Sequence, residues 1–249
     1  MKSKSVRCRL DLLLVERGLA ESVKKAAAVI LAGEVHVNGI RAEKAGMSVA
    51  SDAQVTLTGP ALKFVSRGGF KLEGALQDFS LDPAGLVCLD IGCSHGGFTD
   101  CLLQHDAARV YAVDVNVEQF DWKLRQDPRV VRVKRNARDL RASDIPEPVA
   151  LVTIDVSFIS VKRVLAPAAK LAKAGADFMI LVKPQFELPR EQVGRGGIVK
   201  DQALHEKAIL NVQDHAESLG LKCLGFRPSH LTGAEGNLEY FVHARKALE

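Results

Sequence analysis

The stretch from Leu86 to Asp100, LVCLDIGCSHGGFTD, constrains this chain more than any other. A short apolar run ends in Asp90, a turn carrying Gly92, Gly96 and Gly97 follows, and Phe98 to Gln104 can continue as a helix. Strand, tight turn and helix is how an open parallel sheet builds a ligand site, because the first helical turn leaves N–H groups unpaired and partly positive. Glycines are expected there, since a Cβ would hold a ligand away from the backbone.

Two cofactor classes compete for such a turn. The spacing here, Gly-x-x-x-Gly-Gly, misses the G-x-G-x-x-G of dinucleotide sites. Asp90 at the strand end suits a ligand with a cation or hydroxyls better than a pyrophosphate; S-adenosylmethionine, with its ammonium and sulfonium charges, is such a ligand. Asp114 closes the next apolar run, Val110 to Val113, and is placed to accept hydrogen bonds from ribose hydroxyls. Both classes use an acid there, so it does not decide between them. With Ser94 and Phe98 these residues form the candidate cofactor set. The alternative is a glycine turn that only packs a helix on a sheet.

The rest of the chain bounds the reading. Its 249 residues suit one medium domain with a small appendage, and the longest apolar run, Ala26 to Ala32, is far too short to span a bilayer. Five cysteines with no C-x-x-C pair argue against a disulfide framework or a zinc site, so no metal is expected and a reducing cytoplasm is the expected home. No apolar block follows the basic start, so no signal peptide is expected. Residues 1–64 hold ten Lys/Arg against six Asp/Glu, 10 − 6 = +4, the whole net charge of the chain. A polyanion-facing appendage and a plain solvated face both fit that excess.

In that first quarter, residues 1–6 read as a frayed basic tail, Arg9 to Gly18 as a helix, and Ser22 as the cap of a second helix running to Leu31. Alternating residues from Glu34 run into an Asn38-Gly39 hairpin turn, Val49 and Val55 to Leu57 supply further strands, and Gly59-Pro60 ends the unit. The segments RLDLLLVERGLAES and KAAAVILAGEVHVNG resemble the S-four-type RNA-binding domain, here spanning residues 7–59. The resemblance implies that Arg9, Lys24, Lys25 and Arg41 face structured RNA.

Residues 60–69 read as a linker, with Ser66 or the glycines starting a helix, Phe70 to Phe79, that carries Lys71 in its first turn. From Leu86 strands and helices alternate. Strands are expected at Val87–Asp90, Val110–Asp114, Val130–Val133, Leu151–Asp155, Phe178–Val182, Leu221–Arg227 and Glu239–Ala244, with helices at 96–105, 117–126, 160–173 and 201–219. This is an α/β, Rossmann-like seven-stranded sheet with ligands beyond the C-terminal strand ends. The 228–238 connection shows no helix pattern, so the last strand should be antiparallel, which favours the methyltransferase version of the fold over the dinucleotide one.

Asp155 and Lys183 each end a strongly apolar run, and Glu239 opens the last strand. An antiparallel last strand brings Glu239 to the edge where Asp155 and Lys183 stand, and Lys71 can approach from the side. This lysine–aspartate–lysine–glutamate order resembles the FtsJ-type ribose 2′-O-methyltransferases. The motifs RGGFKL, DIGCSHGGFTD, DVSFIS, LVKPQFE and GRGGIVKD, behind an S-four-type domain, resemble the rRNA methyltransferases of the TlyA (hemolysin A) family over residues 7–245. The family turn usually reads Ala-Ser-Thr-Gly-Gly, and Cys93 and His95 depart from it.

The resemblance implies a methyltransferase domain at residues 70–245, S-adenosylmethionine as cofactor, ribosomal RNA or a ribosomal subunit as partner, and cytidine as the target nucleoside. Lys183 then either accepts the hydroxyl proton or stays charged and stabilises the developing alkoxide; Lys71 and the sulfonium push toward the first role, Asp155 and Glu239 toward the second. Residues 186–201 lack periodicity and are expected to form a lid or an RNA-contacting loop, with Arg195 and Lys200, and Arg67 before it, meeting phosphates. The rival readings are a non-catalytic RNA-binding protein that keeps the fold and a membrane-active hemolysin; no amphipathic pore segment supports the latter.

Overall fold

The computed structural model describes residues 7–20, 22–57, 63–233 and 236–248, Arg195 by its backbone alone. The expected tail 1–6, Gly59-Pro60 and the first part of the linker lie outside these residues. The chain divides into two units, Met1–Lys63 and Phe64–Glu249.

In the first unit, helices α1 (Leu10–Glu16) and α2 (Val23–Leu31) pack Leu10, Leu13, Leu14, Ala26 and Ile30 against Val35 and Val37. Ser22 caps α2, accepting from the Lys25 N–H at 3.2 Å. Arg9 does not begin the first helix. Arg7–Arg9 form strand β1, paired antiparallel with β4 (Ser48–Ala50). The strands of this unit form two sheets: this ribbon, and a three-stranded sheet of β2 (Val35–Val37) between β3 (Ile40–Arg41) and β5 (Val55–Leu57). A three-residue strand has too little alternation to register as one, and its pairing comes from forty residues away.

The second unit is a seven-stranded sheet in the order β11-β12-β10-β9-β6-β7-β8. Strands β6 (Val87–Ile91), β7 (Arg109–Asp114), β8 (Val130–Lys134), β9 (Val149–Ile154) and β10 (Ala172–Val182) are parallel to one another. The last strand, β12 (Tyr240–Lys246), runs antiparallel to both β10 and β11 (Leu221–Pro228), between them. Helices α3 (Arg67–Asp78) and α4 (Gly97–Gln104) bury Leu72, Leu76, Leu102 and Leu103 on one face. Helices α6 (Lys162–Leu171) and α8 (Gln202–Ser218) bury Val164, Leu165, Ile209 and Val212 on the other. Truncating a fully buried leucine such as Leu89 to alanine costs about 2–5 kcal/mol.

Three local expectations need correction. Helix α3 starts at Arg67, with Ser66 accepting from the Gly68 N–H at 3.3 Å, so Lys71 stands in its second turn. The helix expected over 117–126 breaks into a turn at Val117–Gln119 and helix α5 (Trp122–Arg125). Asn116 and Asp121 each cap their own turn, and Phe120 between them is extended and buried. Residues 186–201 are not one irregular loop. Helix α7 (Pro184–Glu187) leads into turns at Arg190–Gln192 and Arg195–Gly197, and buried Asn237 holds the far end through the Val199 N–H at 3.0 Å and the Gly197 carbonyl at 2.8 Å.

Candidate functional site

Two adjoining cavities open at the C-terminal ends of the parallel strands, and both are walled by Ser157 and Phe158. The first, about 380 Å³, is lined by Gly92, Ser94, Asp114, Asp155 and the Arg135–Ala137 segment. Asp114 closes β7 and accepts from the Ser94 and Asn116 N–H groups, each at 3.0 Å, which fixes its carboxylate and leaves lone pairs toward the cavity. A vicinal diol is a good partner for an acid held this way. Gly92 has φ +86°, and a Cβ there would stand 2.2 Å from the Asp155 carbonyl oxygen.

The other expected cofactor residues stand behind this wall. Asp90 is fully buried, bonded by the Thr99 hydroxyl at 2.6 Å and the Thr153 hydroxyl at 3.2 Å. Burial pushes its carboxyl up to about 7 and Asp155 adds to the rise, while the two hydroxyl bonds pull the other way. Gly97 lets α4 meet α3: a Cβ on it would lie 2.1 Å from Ser66 Oγ and 2.9 Å from the Gly69 nitrogen. Gly96 caps α4 in the left-handed region at φ 97°, and Phe98 stacks on Phe241 with centroids 6.0 Å apart. Of the seven expected cofactor residues, Gly92, Ser94 and Asp114 line the cavity and Asp90, Gly96, Gly97 and Phe98 shape it from behind. At Gly92 and Gly97 the space a side chain would fill is occupied by protein, so these glycines are also required by packing. Cys93, one of the two unusual turn residues, points into the core, and burial pushes its thiol far up. His95 stays at the turn, with Nδ1 3.2 Å from Ser94 Oγ.

The second cavity, about 540 Å³, is lined by Lys71, Lys183, Glu239, Phe186 and the Gly196-Gly197 backbone. Lys71 Nζ donates to Glu239 Oε2 at 2.6 Å, with side-chain exposures of 11% and 3%. Lys183, just beyond β10, lies 2.5 Å from Asp155 Oδ1 and donates to Ser157 Oγ at 2.9 Å. Asp155 Oδ1 is buried, and the Lys183 ammonium is its counter-charge. The fold thus brings two ammonium–carboxylate pairs to one edge: three of the four side chains line the second cavity, and Asp155 lies in the wall of the first.

Phe158 is 89% exposed, has φ +66°, and packs at 5.4 Å against Phe186. A bulky residue in the left-handed region is strained, and such strain collects at binding sites. Sequence reasoning passed over Phe158, Ser157 and Glu187; their signal was position, just after the acid and the lysine that end β9 and β10.

The expected RNA-facing cations belong to both units. Arg9 is exposed and paired to buried Asp11 at 2.6 Å; Lys24, Lys25, Arg41 and Lys200 are exposed; Arg67 Nη2 donates to the Thr232 carbonyl at 3.1 Å. Arg195's side chain lies outside the described residues. A denser group is masked in the composition because the second unit's charges cancel in sum. Residues 122–141 hold eight Lys/Arg and two Asp/Glu, 8 − 2 = +6. Arg129 and Arg135 are ion-paired, but Lys123, Arg132, Lys134 and Arg141 stand exposed along and beside edge strand β8.

Among the described residues no helix is long and apolar enough to cross a membrane. Residues 64–246 match the model of the FtsJ-like methyltransferases, and residues 8–55 that of the S4 domain. The chain is 45% identical over 241 residues to the 16S/23S rRNA (cytidine-2′-O)-methyltransferase TlyA of Mycobacterium tuberculosis, covering 96% of this chain and 90% of that one. It is 40% identical to Hemolysin A of Brachyspira hyodysenteriae, covering 94% and 98%. A solved structure described as a hemolysin from Streptococcus thermophilus superimposes with a TM-score of 0.78 at 40% identity, covering 98% of this chain and 90% of that one. The chain belongs to the TlyA family of FtsJ-like, S-adenosylmethionine-dependent methyltransferases, with an S4 domain ahead of its catalytic sheet.

Proposed function

We propose that this chain methylates a ribose 2′-hydroxyl of ribosomal RNA, on a cytidine, in the cytoplasm. The observation that carries the reading is the pair of ion pairs, Lys71–Glu239 and Lys183–Asp155, at a cavity that shares a wall with the Asp114 cavity. S-adenosylmethionine, when bound, supplies an electrophilic methyl group on a sulfonium. Asp114 holds its ribose hydroxyls, and Gly92 and Ser94 form the floor beside them. Lys183 has one acceptor in Ser157 and a counter-charge in Asp155, so an ammonium there keeps an N–H for the substrate oxygen. It acts as the charged group that steadies that oxygen as the C–O bond forms, the methyl carbon's bond to the sulfonium sulfur breaks with its electrons left on sulfur, and the hydroxyl proton passes to solvent water. Lys71 and Glu239 orient the hydroxyl from the other side, and Phe158 with Phe186 offers an aromatic surface for an unstacked base.

Residues 7–59 act as the RNA-docking domain and the unit from Phe64 onward as the catalytic one. Arg9, Lys24, Lys25 and Arg41 in the first, and Arg67, Arg195, Lys200 and the β8-edge cations in the second, meet phosphates. Labelled-methyl transfer to rRNA tests the core of the reading. Lys183→Ala should lower turnover by about 100-fold or more with cofactor binding kept, and near-normal turnover at saturating substrate would remove Lys183 from the chemistry. Mass mapping of methylated ribose in rRNA from cells with and without the protein identifies the nucleotide.

A further inference from the structure

Glu187 is a buried carboxyl that the methyl-transfer scheme leaves unused. It is 7% exposed and ends helix α7, the turn whose N-cap is Lys183. Its oxygens reach across to the start of α6: Oε1 accepts from the Val161 N–H at 2.8 Å and Oε2 from the Ser160 hydroxyl at 2.6 Å. Burial pushes the carboxyl above the usual range, against the two hydrogen bonds and the nearby charges of Lys162 and His215. A local serine already serves the start of α6, Ser160 Oγ accepting from the Lys162 N–H at 3.2 Å, while Val161 at the N-cap has no side-chain cap of its own. Using a buried acid from 26 residues away is a costly way to cap a helix, which directs attention to what else the contact joins.

It joins the two segments that carry the second ion pair. Residues 155–161 bear Asp155, Ser157 and Phe158; residues 183–187 bear Lys183 and Phe186. They meet at Lys183–Asp155, at Lys183–Ser157, at the Phe158–Phe186 ring contact, and at Glu187 with Ser160 and Val161. The first three line the cavities, and Glu187 lines neither. We propose that Glu187 is a positioning residue, which locks the turn bearing Lys183 against the loop bearing Asp155 and Ser157 and so fixes the Lys183 amine at the acceptor cavity. The proposal rests on the reading of Lys183 as the group that steadies the ribose oxygen.

The test uses the full chain with Glu187→Ala and Glu187→Gln and two readouts. Acetylation of Lys183 by an amine-reactive ester, followed by mass spectrometry, reports whether the amine is held and needs no turnover. Steady-state methyl transfer to rRNA gives kcat and KM. Glu187→Ala should raise Lys183 labelling relative to exposed Lys200 by about fivefold or more and lower kcat by about 10- to 100-fold, with KM for S-adenosylmethionine changed less than about threefold. Glu187→Gln keeps an acceptor for the Val161 N–H and should recover part of both effects. Wild-type labelling and kcat in a folded alanine variant would reduce Glu187 to a helix cap and overturn the proposal. If the alanine variant does not fold, Glu187→Gln and Ser160→Ala decide by the same readouts, and no change in either overturns it. An inactive wild-type protein would remove the methyltransferase reading, while the labelling arm still decides whether Glu187 holds Lys183.

Discussion

Val182 lies opposite Tyr240 across the antiparallel pair β10–β12, and that register sets their neighbours Lys183 and Glu239 at one edge of the sheet. Parallel insertion of the last strand would have sent Glu239 to the opposite edge.

The Lys71–Glu239 pair has little water around it, so its halves are unequal to lose together and alone. Lys71→Met leaves Glu239 buried and unpaired and should cost about 3 kcal/mol of stability. Adding Glu239→Gln should restore much of the stability and none of the methyl transfer. Chemical denaturation beside a turnover assay measures both, and recovery of activity in the double variant would contradict the assigned role.

Asp90 makes stability depend on pH. Its folded-state value, about 7, lies above the 3.8 of a free carboxyl, so its linked stability is full below about pH 4 and is lost as pH rises through 7. Asp90→Asn keeps the shape without the charge. Between pH 5 and pH 8 the stability difference should move in favour of the asparagine variant by about 2–3 kcal/mol. Urea melts across that range check it, and a pH-independent difference would sink it.

Gly92 has a backbone conformation that L-residues avoid and no room for a methyl group. Gly92→Ala should cost about 2–4 kcal/mol and abolish cofactor binding, as read by thermal melting and calorimetric titration. Gly85→Ala is the control: φ is +71° with nothing within 4 Å of the added carbon, so the cost should stay near ~1 kcal/mol.

The cations at the β8 edge predict a salt effect. Replacing Lys123, Arg132, Lys134 and Arg141 together by serine should weaken rRNA binding and reduce the slope of log K against log salt by about 3, at roughly 0.7–0.9 per phosphate contact. An unchanged slope in filter-binding titrations would exclude that edge from the RNA interface.

Much of the second unit was readable because its strands are long, apolar and closed by charged residues at their ends. The seven strands, the antiparallel last one and the meeting of Lys183 and Glu239 at one edge follow from that punctuation, whereas Lys71 reaches the same cavity from helix α3. Strand β1 and the division of 117–126 were not readable, since pairing with Ser48–Ala50 and paired caps decide them rather than periodicity. Nor does an acid near the end of a short element announce that it is buried: Asp90 and Glu187 look in sequence like any polar residue there, and only packing shows them facing inward. The β8-edge charges were hidden by summing over a whole domain what geometry concentrates on one strand.

The interior place of β12 has a consequence for how the protein is made. The strand after Glu239 is translated late yet sits between two strands already synthesised, so a nascent chain halted before Tyr240 presents an S4 domain attached to a sheet with an open slot. Filling that slot is what brings Glu239 to the edge where Lys183 stands, so the cavity's wall is completed by the last strand to be made.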